Sequence, residues 1–228
     1  AFVVAETPFA AQDAVEAVIV NYRERAAIVE ADRADERTAP QLHDCADRNR
    51  AYDWECGDPQ ATAQAIALAA HVARVRVIDN RLITCFMEPR SALAIWDTST
   101  ERYTLYAGLH SIHQHQGNLA RVFGVALERV RCVTDDVGGG FGSRNQMYPE
   151  YIAITWAARR IGRPVKWTST RSEAFLTDSQ SRDHLLDGEL ALDAIGRVTA
   201  LRVHSTTNLG AHFAPTIPYS TISNMERM

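Results

Sequence analysis

Apolar and polar positions follow the period of a strand and then the period of a helix from the first residues of this chain. An apolar run over residues 2–5 predicts a strand, and apolar positions at helical spacing over residues 11–22 predict a helix after it. Farther along, Asp58 directly before Pro59 is typical of a helix start, and an alanine-rich stretch predicts a helix through Ala70.

The middle and end of the chain predict several short strands with helices between them. Strand patterns occupy residues 73–77, 92–96, 103–107, 130–133, 165–169, 186–192 and 198–203. Polar turns predict two hairpins, one from residues 92–107 and one from residues 186–203. Helices are predicted near residues 112–123 and over residues 149–161, where Gly162 ends the second helix.

Residues 31–57 interrupt this periodicity. They are rich in Asp, Arg, Pro and Asn, and we interpret them as an extended linker between two packed bodies. Three segments follow from this interpretation, namely residues 1–30, the linker 31–57, and residues 58–228.

Composition narrows the function classes. Of 228 residues, 46% are hydrophobic and 23% charged, which is typical of a soluble globular protein. Basic and acidic residues number 24 and 28 and are interspersed, so nothing favours a nucleic-acid partner or a membrane surface. No apolar stretch approaches the roughly 20 residues of a membrane-spanning helix. The spacing of Cys45, Cys56, Cys85 and Cys132 favours reduced thiols over a disulfide framework.

The most unusual local feature is the glycine loop, residues 138–142, which has four glycines and Phe141. Glycine lets backbone amides approach a ligand closely, so the loop is a candidate cradle for an anionic or oxo atom. A tight connection that needs glycine only for its geometry is the alternative. A phosphate-binding loop would need Gly-Lys-Ser/Thr, and a dinucleotide fingerprint would need Gly or Ala at Ser143, so a nucleotide-binding module is disfavoured.

Three separated stretches carry a resemblance to a known family. They are residues 131–142 with the glycine loop, residues 80–90 ending in Glu-Pro-Arg, and residues 182–211, which begin Arg-Asp-His. Together they resemble the large subunit of molybdenum hydroxylases, the family of aerobic carbon monoxide dehydrogenase, aldehyde oxidase and xanthine dehydrogenase. The resemblance implies an α+β fold: the end of an α/β hammerhead-like domain, the linker, and then the first part of a molybdopterin-binding domain.

The resemblance also implies which residues touch the cofactor. They are Gly139, Gly140, Phe141, Gly142 and His110. His110 stands where the family usually has a glutamine that binds the metal's oxo group, and we expect the imidazole to donate in its place. Asn145 stands where purine-oxidising members have a substrate-binding glutamate, which argues against a xanthine-type pocket. The family's glutamate base is expected beyond Met228, so no catalytic residue and no metal ligand is assigned within the chain.

Cofactors and partners follow from the same resemblance. We expect molybdenum on molybdopterin in its cytosine dinucleotide form, with FAD and [2Fe-2S] clusters on a medium and a small partner subunit. A dimer of heterotrimers in the cytoplasm is expected, with a periplasmic location left open. The implied reaction is hydroxylation of an aldehyde, an N-heterocycle or carbon monoxide with water as the oxygen source, and this fragment alone is expected to be inactive. The alternative is a non-catalytic structural or assembly segment of such a complex.

Two further residue groups are interpreted as structural. His113 and His115 are two positions apart, so a helix does not bring them together as metal ligands. Met87, Glu88 and Arg90 are interpreted as a buried strand start with a structural ion pair, with a place near the cofactor as the alternative.

Overall fold

A computed structural model describes residues 1–212. The helices are α1 (Pro8–Glu16), α2 (Pro59–Leu68), α3 (Ile112–Phe123), α4 (Pro149–Ile161) and α5 (Arg171–Thr177). The strands are β1 (His71–Asp79), β2 (Leu82–Ile83), β3 (Ser91–Asp97), β4 (Arg102–Ala107), β5 (Val130–Val133), β6 (Val165–Thr168), β7 (Gln180–Ser181), β8 (His184–Leu192) and β9 (Val198–Thr207). The mixture of helices and sheets agrees with the predicted α+β class.

The chain divides into two compact units, each built from two segments. The first combines residues 1–22 with residues 83–180, and the second combines residues 23–82 with residues 181 onward. The predicted segment 58–228 extends past residue 212, and that part lies outside the described residues.

The first unit is built on a four-stranded sheet in the order β5-β4-β3-β6. β3 pairs antiparallel with β4 and β6, and β4 pairs parallel with β5. Helix α4 packs on β3 and β6, and α3 packs beside β5. Their shared core includes Leu105, Leu119, Val130 and Tyr151, none of which is more than 1% exposed. Burial of each such aliphatic side chain stabilises the fold by about 1.5–3 kcal/mol.

Local signals fix the ends of the two packed helices. Gly124 follows α3 with φ of 63°, and Gly162 follows α4 with φ of 65°. This left-handed conformation closes a helix and suits glycine, which has no Cβ to clash. Pro149 opens α4, where its missing N–H costs nothing. The sequence prediction of both helices is confirmed.

The second unit contains a three-stranded antiparallel sheet in the order β1-β8-β9, with α2 packed against β8 and β9. Asp58 caps α2 by accepting the N–H of Ala61 at 2.9 Å, as its position predicts. Strand β1 is confirmed, but Val75 and Val77 are 59% and 42% exposed, so the half-buried face predicted there is not found within the described residues.

Two expectations about local structure are wrong, and one helix was missed. Residues 2–5 form no strand, and α1 ends at Glu16 instead of Tyr22. The β-branched run after Val15 explains the early end, because such side chains lose rotamer freedom in a helix. Helix α5 was not predicted, although the capping box of Thr170 and Glu173 marks its start.

Residues 31–57 contain only short 3-10 turns, at Ala31–Arg33 and Asp47–Asn49, and otherwise neither helix nor strand. The four cysteines are free, as predicted. Within residues 1–212, no helix is long and apolar enough to cross a membrane.

Candidate functional site

The glycine loop lies between β5 and the 3-10 turn Ser143–Asn145 that precedes α4. Three of its residues have a left-handed backbone, with φ of 99° at Gly139, 48° at Phe141 and 80° at Gly142. That conformation is ordinary for glycine but costs a phenylalanine on the order of 1–3 kcal/mol. Phe141 nevertheless leaves its ring 66% exposed, so the strained residue contributes little to the core. Strain of this kind is typical of binding loops.

Gly139 makes room for the ring of Phe141. A Cβ at position 139 would lie 2.1 Å from the Cε2 atom of that ring, closer than any real contact. The ring lies nearly parallel to that of Phe86, with 7° between the planes and 6.4 Å between the centroids. Glycine at position 139 is therefore required by both the backbone and the aromatic side chain.

A buried ion pair anchors the start of the loop. The Arg144 side chain is fully buried, and its Nη2 atom lies 3.2 Å from Oε2 of Glu88. The same carboxylate oxygen accepts the backbone N–H of Gly138 at 2.5 Å. A Cβ at Gly138 would lie 2.7 Å from Cβ of Glu88, so this close approach requires glycine. Glu88 thus connects the loop to the segment between β2 and β3.

Arg144 has further contacts and two unpaired nitrogens. Its Nη2 atom also donates to the carbonyl oxygen of Glu88 at 2.8 Å, and its guanidinium lies 4.6 Å from the ring centroid of Phe86. Its Nε and Nη1 atoms are buried without a hydrogen-bond acceptor among residues 1–212. A Cβ at Gly108 would lie 3.1 Å from Nη1, so glycine there leaves space for the guanidinium.

His110 lies against the glycine loop. A Cβ at Gly140 would stand 3.8 Å from Cγ of the imidazole, which is van der Waals distance. The backbone joins the same segments, since the N–H of His110 donates to the Arg144 carbonyl at 3.3 Å and the N–H of Arg144 donates to the Gly140 carbonyl at 3.2 Å. The structure therefore brings His110 and the loop together, although 30 residues of sequence separate His110 from Gly140.

Asn145 holds the imidazole of His110. Nδ1 of His110 lies 2.6 Å from Oδ1 of Asn145, and Oγ of Ser111 donates to the same oxygen at 3.3 Å. This contact could not be predicted from the sequence, because the two residues lie 35 positions apart and meet only through the 3-10 turn.

The loop amides are available to a ligand. Within residues 1–212, the backbone N–H groups of residues 139–142 have no hydrogen-bond acceptor. Gly139 and Gly140 are partly exposed, and Phe141 and Gly142 are exposed. Donors without protein acceptors suit a group that carries oxygen acceptors, which is the chemistry of a pterin phosphate or a metal oxo group. The residues present therefore fit a molybdopterin-type cofactor.

The two histidines of α3 are not part of this candidate site. His115 is fully buried, and its ring nitrogens lie 2.8 Å from the Ser111 carbonyl oxygen and 3.1 Å from that of Gln146. His113 is exposed on the helix. In the described part of the chain, no group of three histidine, cysteine or acidic side chains could hold a metal ion.

Arg90 forms a separate buried cluster, which confirms that it is structural. It donates to Asp178 through Nε and pairs with Glu150 at 3.2 Å. Its guanidinium also lies 3.6 Å from the ring centroid of Tyr148. Burial alone would lower the pKa of Arg90, but the hydrogen bonds that Arg90 donates to Glu150 and Asp178 outweigh it, so the pKa is raised. Met87, by contrast, is 93% exposed.

Comparison with known proteins places the chain in a family. A family model described as the molybdopterin cofactor-binding domain matches residues 42–228. The chain belongs to the molybdopterin cofactor-binding domain family. The loop and His110 lie within the matched range.

Relatives of this molybdopterin cofactor-binding chain include large subunits of molybdenum oxidoreductases. It is 32% identical over 223 residues to the carbon monoxide dehydrogenase large chain of Hydrogenophaga pseudoflava, covering 92% of this chain and 28% of that protein. It is 30% identical over 216 residues to the 6-hydroxypseudooxynicotine dehydrogenase complex subunit gamma of Paenarthrobacter nicotinovorans, covering 95% and 27%.

A solved structure agrees with the fold. Reconstituted carbon monoxide dehydrogenase from Oligotropha carboxidovorans superposes with a TM-score of 0.81 at 28% identity, covering 87% of this molybdopterin-binding chain and 26% of that one. The chain therefore spans between a quarter and a third of the length of these relatives.

Proposed function

We propose that this chain supplies one wall of the cofactor site in the large subunit of a molybdenum hydroxylase. The cofactor-contacting residues are Gly139, Gly140, Phe141, Gly142 and His110. One observation supports this assignment most strongly. A Cβ added at Gly140 would lie 3.8 Å from Cγ of the His110 imidazole, which is van der Waals distance. Two segments that are far apart in sequence thus form one surface.

Each part of this surface has its own task. The loop amides bind an oxygen acceptor, and the glycines keep Cβ atoms out of its path. The Glu88 carboxylate holds Gly138, so the amides after it keep their place without rearrangement when the ligand binds. The exposed ring of Phe141 covers apolar ligand surface and excludes water there. When bound, the cofactor supplies the redox and oxygen-transfer chemistry, which the protein orients.

The proposed reaction is hydroxylation of a small molecule with water as the oxygen source. The named relatives support this class, since one is a carbon monoxide dehydrogenase and another a 6-hydroxypseudooxynicotine dehydrogenase. An aldehyde, an N-heterocycle or carbon monoxide is the proposed substrate. The contact between Asn145 and His110 argues against Asn145 as a purine-binding residue, because its side-chain oxygen is already engaged.

The proposed assembly has three kinds of subunit. A medium subunit carries FAD, a small subunit carries [2Fe-2S] clusters, and two such heterotrimers form the complex in the cytoplasm. The cofactor is proposed in its cytosine dinucleotide form. Residues 1–30 are proposed to end a hammerhead-like domain, to which α1 belongs.

The test is metal analysis together with turnover of the holoenzyme that carries this chain. We expect about one molybdenum per chain, and His110→Ala should slow turnover by about tenfold to a hundredfold, the effect of a polar contact to a cofactor or reacting group. His113→Ala, which changes an exposed histidine one turn away, is the matched control and should have no effect. A complex that assembles without molybdenum would instead identify the chain as a structural segment.

A further inference from the structure

The bond between His110 and Asn145 defines which imidazole nitrogen carries hydrogen. Oδ1 of Asn145 has only lone pairs to offer, so the hydrogen in the 2.6 Å contact belongs to Nδ1 of His110. The hydroxyl of Ser111 directs a second hydrogen at the same oxygen from 3.3 Å. With the amide oxygen facing the histidine, Oδ1 accepts from both groups.

We propose that Asn145 is a positioning residue that holds His110 in its Nδ1–H tautomer and leaves Nε2 as a hydrogen-bond acceptor for a ligand. A neutral imidazole has one donor and one acceptor, so fixing the first nitrogen determines the second. Nε2 has no hydrogen-bond partner among residues 1–212, and the His110 side chain is exposed beside Gly140. This inference rests on the proposed function, because it assumes that a ligand occupies that surface.

Further hydrogen bonds anchor the segments that carry His110 and Asn145. The N–H of His110 donates to the Arg144 carbonyl, one residue before Asn145, at 3.3 Å. Ser143, at the start of the same turn, is buried and shares a hydrogen bond of 2.8 Å with the hydroxyl of Tyr148. Asn145 therefore sits on an anchored turn, and its side chain fixes the orientation of the imidazole as well as its tautomer.

The acceptor atom Nε2 determines which class of ligand His110 can bind. Nε2 with a free lone pair binds a group that presents O–H or N–H, such as a hydroxyl, an amide or a water molecule. A glutamine at this position would offer N–H donors to an oxo group, so the neutral histidine reverses the direction of the hydrogen bond. While Nδ1 keeps its hydrogen, His110 can donate through Nε2 only as an imidazolium, which carries hydrogen on both nitrogens. The wall beside Gly140 is thus suited to a hydrogen-bond donor on the substrate or cofactor.

The tautomer can be read directly by magic-angle-spinning 15N NMR of the holoprotein with labelled histidine. The spectrum is recorded at pH 8, above the value of about 6.5 near which ordinary imidazoles titrate. Subtraction of the His110→Gln spectrum isolates the two nitrogens of His110. We expect a protonated Nδ1 and an unprotonated Nε2. A protonated Nε2, in either the other tautomer or an imidazolium, overturns the proposal.

Variants of Asn145 test the positioning role. Asn145→Ala removes the acceptor and should move the tautomer ratio about tenfold toward Nε2–H, the worth of one hydrogen bond. Asn145→Asp keeps an acceptor oxygen and should retain the Nδ1–H form. Asn118→Ala, which removes another asparagine far along α3, is the control and should leave the ratio unchanged. An unchanged ratio in Asn145→Ala contradicts the assignment.

A second readout separates positioning from simple structural support. In Asn145→Ala, kcat should fall about tenfold while the molybdenum content and the melting temperature stay near wild type, and Asn145→Asp should recover part of the rate. Loss of molybdenum or of melting temperature in step with the rate would contradict positioning. Absence of molybdenum from the wild-type complex would refute the proposed function while leaving the NMR assignment of His110 intact, so the two failures are distinguishable.

Discussion

The carboxylate of Glu88 lies 3.2 Å from the buried guanidinium of Arg144 and also accepts the N–H of Gly138. One acidic side chain therefore neutralises a buried cation and fixes the first residue of the glycine loop. A buried charge that loses its partner is costly, whereas exposed pairs contribute little. The stability of the fold and the shape of the loop are thus coupled at Glu88.

Glu88→Ala should lower both stability and cofactor binding. The substitution leaves Arg144 buried without its carboxylate, at a cost of about 2–4 kcal/mol in folding free energy. This cost is lower than that of breaking a fully buried ion pair, because the Glu88 side chain is 36% exposed. Calorimetric melting of the purified protein measures the loss. Glu128→Ala, at an exposed carboxylate before β5, is the control and should change stability by less than about 0.5 kcal/mol. Equal melting temperatures for the two variants would show that the Glu88 pair does not stabilise the fold.

Gly139→Ala should destabilise the loop. The new methyl meets the ring of Phe141, and alanine must adopt φ of 99°, so we expect a cost of about 1–3 kcal/mol. The double variant with Phe141→Ala removes the clash but keeps the backbone strain, and should recover only part of that stability. Full recovery would show that strain is absent, and no initial loss would show that glycine is not required there. Chemical unfolding of the single and double variants decides between these outcomes.

The Arg90 cluster should behave as a buried ion pair that is structural only. Arg90→Met leaves the Asp178 carboxylate, 3% exposed, without its partner, and should cost about 3–5 kcal/mol. Arg90→Met combined with Asp178→Leu should recover much of this loss, because it removes both charges. Arg163→Met, at an exposed pair with Glu6, is the control and should cost less than about 1 kcal/mol. If the double variant is as unstable as the single one, packing rather than charge dominates.

Cys132 should resist alkylation in the folded protein. Burial beside the sheet raises the pKa of its thiol from 9.0 to about 11, so little thiolate exists at pH 8. The raised pKa means that the folded state holds the thiol proton more tightly than the unfolded state does. The stability that the protonated thiol contributes is therefore fully present below pH 9 and is lost as the pH rises towards 11. Iodoacetamide labelling read by mass spectrometry should modify exposed Cys45 well before Cys132. Equal labelling rates would contradict the burial of Cys132.

Much of the local structure was predictable because its signals are local. The bounds of α3 follow from helical spacing and Gly124, and the hairpin of β3 and β4 follows from alternation around a polar turn. Residues 2–5 misled the prediction, since an apolar run alone does not provide the neighbouring strand that pairing requires. The capping box of Thr170 was present in the sequence and could have revealed α5.

The site was predictable only in part. The glycine loop and His110 could be singled out by composition and by family resemblance, and the structure places them side by side. The partners of these residues were not predictable, because the contacts of Glu88 with Arg144 and of His110 with Asn145 join positions 56 and 35 residues apart. Gly140 also lacks the positive φ that a glycine in such a loop often has, and a Cβ there would meet the imidazole of His110 at an ordinary distance of 3.8 Å.

The central claim is that the glycine loop and His110 form a wall of the molybdenum cofactor site, and the molybdenum content of Gly140→Val tests it most directly. Valine at position 140 would fill the space beside the His110 imidazole without backbone strain from a positive φ. Gly117→Val on α3 is the control, because it adds the same side chain away from the loop. We predict about one molybdenum per chain in the wild-type holoenzyme and in Gly117→Val, and a loss of most molybdenum in Gly140→Val at an unchanged melting temperature. Full molybdenum and wild-type turnover in Gly140→Val would contradict the account.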